Sequence, residues 1–230
     1  MRKSHKRENG YSLVELLVAT ILFTIIAGSV FSLLLSAQLR YRGESNVTTA
    51  FQQANVAIDQ ITRDVHSAGY PPPSSFAAAP PPNVVALPFS WSSGYPNTPC
   101  TVGAGCGAVP GDYDLILETD FGDGNGVQWI RYSLQGTTLM RGVTSKTSGN
   151  PVASTSAGVL LPYLDNVINE SKSLPIFSYC YDSTGCGAAT GLVSNIREVN
   201  VMLIVQSAQP DPQTQQFRTI TLTGQAARFN

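Results

Sequence analysis

The stretch GYSLVELLVATILFTIIAGSVFSLLLSA, residues 10–37, decides how the chain is read. Leu16 to Ala37 is 22 residues without a charge. At about 1.5 Å per residue a helix there spans roughly 33 Å, enough to cross the hydrocarbon core of a bilayer. Just before it, Arg2, Lys3, Lys6 and Arg7 face Glu8 alone. That basic leader favours a cytoplasmic N-terminus by the positive-inside tendency. A conventional cleaved signal peptide fits poorly, because its apolar region is shorter and a small-x-small site should follow it. Glu15 is the anomaly. A carboxylate in an apolar helix costs about 2.5–3.5 kcal/mol on membrane-insertion scales.

The helical signal continues past the apolar run. Val47, Ala50, Phe51, Ala54, Ile58, Ile61 and Val65 recur every three or four residues, which marks one face of an amphipathic helix. No proline lies between residues 11 and 70, and Gly69 and Pro71 form a stop signal. The expectation is one nearly continuous helix from about Ser12 to about Ala68. Its first half is lipid-compatible all round, and its second half has a stripe that needs a partner.

Beyond it the composition changes. Ten of the fifteen prolines fall within residues 70–112, which read as a loop or wrapped segment with at most one short strand, Val84 to Leu87. Phe76, Phe89, Trp91 and Tyr95 offer apolar anchors for it. Strands are expected at 113–119, 127–134, 138–143, 176–182, 197–207 and 217–223. In the fifth of these, Val199, Val201, Leu203 and Val205 alternate with Glu198, Asn200, Met202 and Ile204. The fold class is therefore α+β: a long N-terminal helix packed on a mainly antiparallel sheet. Residues 159–170 fit either a helix or a strand.

Charge and cysteines narrow the function. The formal net charge is -1, which gives no reason to expect a nucleic-acid partner. Cys100 and Cys106, and Cys180 and Cys186, each have the spacing C-x5-C. Export would favour disulfides, and two local loops are the preferred pairing of the three possible. Zinc competes, but tight C-x2-C knuckles and a nearby histidine are missing, so no metal or other cofactor is expected. DFGDGNG at 120–126 suggests calcium through Asp120, Asp123 and Asn125, yet its oxygen spacing departs from an EF-hand loop, and a glycine-rich hairpin turn is preferred. No nucleophile elbow, phosphate-binding glycine loop or metal helix occurs, so the expectation is not an enzyme.

Two features of the apolar helix concern packing. Thr20, Thr24, Gly28, Ser32 and Ser36 form a four-residue series of small side chains. Small-x-x-x-small ridges let helix backbones approach closely, although this one drifts by about 40° per step and spirals. Membrane-helix composition alone is the competing explanation. Glu15 also has two readings. With Ser12 it matches the capping box S-x-x-E. Alternatively, cleavage after Gly10 exposes an ammonium on Tyr11, and Glu15 can pair with that of a neighbouring chain. A charged pair in lipid then sets register.

KRENGYSLVELLVA, residues 6–19, resembles the class III signal of type IV prepilins: a basic leader, glycine, an aromatic residue and a glutamate five positions after the glycine. That resemblance implies cleavage between Gly10 and Tyr11 by a prepilin peptidase, N-methylation of Tyr11, and Glu15 as the assembly residue. Phenylalanine is commoner than tyrosine at the new N-terminus. ITRDVHSAGYPPP at 61–73, with WIRYSL, LMR and REVNVMLIV, is similar to PilW-type minor pilins and the related J-type pseudopilins of type II secretion.

The implied plan is a leader (1–10), a transmembrane or filament-core helix (11–40), an amphipathic helix of the head (41–69), and a β-rich head (70–230). The implied place is the bacterial inner membrane, then a periplasmic or surface pilus. The implied partners are the peptidase, other pilin or pseudopilin subunits, an inner-membrane assembly platform, and the lipid bilayer before assembly. A minor pilin incorporated into a type IV pilus, or priming its assembly, is the leading expectation. A pseudopilin of a secretion or DNA-uptake system, and a signal-anchored exported binding domain or adhesin, are the alternatives.

Overall fold

The computed structural model describes residues 12–78, 84, 86, 88–89, 112–146, 159–181, 185–186 and 196–228. Helix α1 runs Leu13–Ser67, 55 residues, close to the predicted limits. With no proline to remove an N–H, it is continuous for about 83 Å at helical rise. Ser12 makes no side-chain cap; its carbonyl accepts the Leu16 N–H instead. The capping-box geometry is thus not formed.

The helix ends as the sequence indicates. Ala68 is extended, and Gly69 adopts φ +87°, in the left-handed region that favours glycine. A side chain at Gly69 would also meet Pro88, whose Cγ lies 2.8 Å from the Cβ position. The Gly69 N–H donates to Glu118 O, and the Asp120 N–H donates to Tyr70 O. The chain leaving the helix is thereby tied to the first strand.

Two four-stranded antiparallel sheets form the described head. One has the order β1 (Asp114–Asp120), β2 (Val127–Gln135), β3 (Thr138–Ser145), β4 (Leu161–Leu164). The other combines β5 (Phe177–Tyr181), β6 (Gly185–Cys186), β7 (Ile196–Gln206) and β8 (Thr219–Ala227) in the order β6-β5-β7-β8. The expected single sheet is therefore divided. The 166–169 segment stitches the halves: the Val167 N–H donates to Thr137 O beside β3, and the Ile168 N–H donates to Ile204 O in β7. Asn169, fully buried, accepts the Ile204 N–H and donates to Met202 O, each at 2.8 Å. This is the type IV pilin-like arrangement of a long helix on antiparallel sheets.

The helix stripe meets mainly β8 and β7, with further contacts to β1 and β4. Ala50, Ala54, Ala57, Ile58, Ile61 and Val65 join Val199, Val201, Leu203 and Val205 in the core. Glycine at position 224 of β8 allows the close approach, because a Cβ there would lie 2.5 Å from Ile58 Cγ2. Phe51 departs from the expected stripe: it is 44% exposed, while Ala57 and Asp64 are buried. The face that contacts the sheet is thus rotated away from Phe51 and toward Ala57 and Asp64, relative to the apolar pattern.

Other expectations are corrected locally. Val84 lies in a 3-10 turn and not in a strand, while Phe89 forms an isolated bridge with Leu117. The ambiguous 159–170 segment gives the short strand β4 and then a 3-10 turn, Glu170–Lys172. Trp91 and Tyr95 lie outside the described residues.

Candidate functional site: the exposed stem and its anchorage to the head

Residues 12–42 of α1 are exposed throughout, and the first buried helix residue is Gly43. Leu13, Val14, Leu16, Phe23, Ile25, Ile26, Phe31 and Leu33 are among the large apolar side chains left uncovered. A water-soluble surface does not carry such a continuous apolar area. The helix is long and apolar enough to cross a membrane.

Glu15 is the sole charge between Ser12 and Leu39. It sits in the first turn of α1, exposed, and makes no ion pair among the described residues. The helix macrodipole favours a carboxylate there, but a partner able to neutralise it has to come from elsewhere. Gly10 and Tyr11, the predicted cleavage and methylation positions, lie outside the described residues.

The small-residue ridge is open along its length. Thr20 Oγ1 donates to Leu17 O at 2.9 Å, Thr24 Oγ1 to Ile21 O at 2.8 Å, and Ser36 Oγ to Ser32 O at 3.0 Å. These bonds satisfy hydroxyls that lipid would otherwise leave unpaired. A Cβ on Gly28 would meet nothing within 4 Å. The ridge is therefore accessible to a neighbouring helix, with the Thr20, Thr24 and Ser36 hydroxyls already bonded within the stem.

At the other end, a buried polar network locks α1 to the head. Asp64 is 1% exposed. Its Oδ2 accepts the Tyr132 hydroxyl at 2.6 Å and Arg141 Nη2 at 2.9 Å. Its Oδ1 accepts Gln60 Nε2 at 2.7 Å. Arg141 Nε also donates to the Tyr132 oxygen at 2.9 Å, and the guanidinium lies 5.6 Å from the Tyr132 ring centroid. Burial, followed by the Asp64 charge, raises the Tyr132 phenol far above its usual titration range. Satisfied on all sides, the network selects one rotation of the helix against β2 and β3. Asp64 went unselected in the sequence, though its spacing of three from Ile61 and seven from Ala57 places it on the buried stripe.

A second buried pair supports the first sheet. Glu118 Oε2 accepts Lys146 Nζ at 2.6 Å, and Oε1 accepts Trp129 Nε1 at 2.8 Å. Asp114 of β1 and Arg131 of β2 form a further ion pair. The 121–126 connection is a hairpin turn: Asp120 accepts the Gly122 N–H, while Asp123 accepts Asn125 and Gln128 donors. These bonds hold the exposed Asp123 carboxyl below its usual range, the Asn125 N–H contributing most. Cys180 and Cys186 form a disulfide across the β5–β6 hairpin, so this pair presents no thiolate to a metal. Cys100 and Cys106 lie outside the described residues.

Residues 5–31 match the family described as the prokaryotic N-terminal methylation motif. No curated protein and no solved structure matches the chain. The motif supports a type IV pilin or pseudopilin. It implies processing by a prepilin peptidase and assembly with other pilins.

Proposed function

We propose that this chain is a non-enzymatic minor pilin, incorporated into a type IV pilus or priming its assembly. One observation carries the reading: a bare apolar stem whose sole charge between Ser12 and Leu39, Glu15, has no ion-pair partner among the described residues and lies within the methylation motif. Hydrolysis of the Gly10–Tyr11 peptide bond frees the Tyr11 amine. An α-amine, with an ordinary pKa of about 7.7–8.0, is mostly protonated at neutral pH, and N-methylation leaves it basic. Before assembly the stem sits in the inner membrane; afterwards it lies among other stems in the filament. There the Tyr11 ammonium of one subunit and Glu15 of another neutralise each other. Among the packed apolar stems of a filament, away from headgroups and water, the Glu15 charge is compensated only at the few offsets that bring the two charges together. The pair thereby fixes stagger. The Thr20–Ser36 ridge supplies a close-packing seam for neighbouring helices.

The PilW-type similarity of 61–73 and of the strand motifs favours a minor pilin. J-type pseudopilins share those motifs, and a deletion scored for twitching, secretion and DNA uptake separates the roles. The test of assembly is Glu15→Ala expressed in place of the natural chain. Leader removal is expected to persist while incorporation into sheared filaments falls. Wild-type incorporation of the processed Glu15→Ala chain would contradict the charge-pairing role.

A further inference from the structure

The described head approaches the stem through the loop between β7 and β8. A Cβ on Gly43 would lie 3.5 Å from Pro212 Cδ and 3.6 Å from Asp211 Oδ2. Further along, Gly224 of β8 meets Ile58. From Pro212 to Gly224 the chain therefore climbs from helix position 43 to position 58. The loop is the part of the described head nearest the apolar stem.

No spacer separates the two. Arg40 follows Leu39 directly, and Gly43 comes three residues after Arg40, about 4.5 Å along the same unbroken helix. Glu15 precedes Arg40 by 25 positions, about 38 Å. This exceeds the hydrocarbon thickness of roughly 30 Å, so the charges at the two ends reach opposite headgroup layers. With Arg40 at the interface, the β7–β8 loop lies against the same layer.

The chemistry of this end matches that position. Arg40 and Arg42 are exposed and pair with no carboxylate among the described residues. Tyr41 between them is 75% exposed, and Phe217 on the loop is 50% exposed. The Arg218 side chain is more than half exposed while it pairs with Asp211. Asp211 is the only carboxylate in the loop, and its other oxygen accepts the Gln213 and Thr214 N–H groups. Three guanidinium groups thus face Glu44 and the already engaged Asp211. Aromatic side chains beside arginines suit the headgroup region, where rings enter the boundary and guanidinium groups bind phosphate.

We propose that the β7–β8 loop, with Arg40, Tyr41 and Arg42, is a seat for the phospholipid headgroup layer, holding the unassembled subunit with its head resting on the membrane. This rests on the membrane-spanning reading of the stem. Entry into a filament then requires the seat to be vacated.

The full chain in vesicles of phosphatidylethanolamine and phosphatidylglycerol provides the test. Photoreactive benzoylphenylalanine is placed at position 217, or at position 121 as a control. Phe121 is also exposed, and it follows β1 at the opposite end, where the helix exit binds Glu118 and Asp120. Lipid adducts are expected at 217 and not at 121, and severalfold fewer at 217 in Arg40→Gln/Arg42→Gln. Equal labelling at both positions, in chains that resist alkaline extraction, would overturn the seat. Chains released by alkaline extraction would overturn the membrane-spanning reading itself.

Discussion

Tyr132 donates its hydroxyl hydrogen to Asp64 Oδ2 at 2.6 Å, linking a strand to the helix across 68 residues of chain. The contact explains why an acid is placed on an otherwise apolar stripe. It fixes rotation, where apolar packing alone tolerates small slips. Removing the carboxylate leaves the Tyr132 hydroxyl and the Arg141 guanidinium without their anchor. Asp64→Ala should cost about 3–5 kcal/mol, as for breaking a buried ion pair, and Tyr132→Phe about 1–3 kcal/mol. Urea unfolding of the full chain in detergent measures both. A change below 1 kcal/mol for Asp64→Ala would remove the network from the stabilising contacts.

The same phenol sets an alkaline limit. Burial and the Asp64 charge raise its folded-state pKa, so the folded protein holds a proton that the unfolded chain loses near pH 10. This contribution is fully present below the unfolded pKa and is lost as pH rises above it. Stability should therefore decline above about pH 10. Tyr179, also buried and raised, adds to the slope. Tyr132→Phe is expected to flatten the decline, measured by urea unfolding between pH 8 and about 11.5. An unchanged slope would remove Tyr132 as a contributor.

Gly224 is expected to resist enlargement. A Cβ placed 2.5 Å from Ile58 Cγ2 forces the helix off β8, so Gly224→Ala should destabilise by about 1–3 kcal/mol. Ile58→Ala in the same chain should recover part of that loss. Absence of any recovery would show that the strain is not at this contact.

Gly28 presents the opposite case. Nothing lies near it within the subunit, so Gly28→Ile should leave thermal unfolding and membrane insertion unchanged while reducing filament incorporation. Immunogold labelling of filaments reads the difference. Wild-type labelling density would exclude the ridge as a packing seam.

Much of this architecture was visible in the residues because its determinants are local. The unbroken helix follows from the absence of proline, and its end from Gly69 and Pro71. The β7 alternation reproduces the buried series Val199, Val201, Leu203 and Val205. What escaped depends on contacts distant in sequence. Nothing local shows that Phe51 stays uncovered by the head, or that Asn169 joins two sheets by bonding to β7. Glu15 was legible as a misfit, whereas Asp64 was hidden by sitting among ordinary helix-surface charges such as Asp59 and Arg63. Gly43 carried no pattern, since its role comes from Pro212 in the β7–β8 loop.

The processed N-terminus is the most direct test of the pilin reading. Mass spectrometry of the chain extracted from membranes or filaments should give a first peptide beginning at N-methylated Tyr11. A mature chain that still begins at Met1 would contradict it.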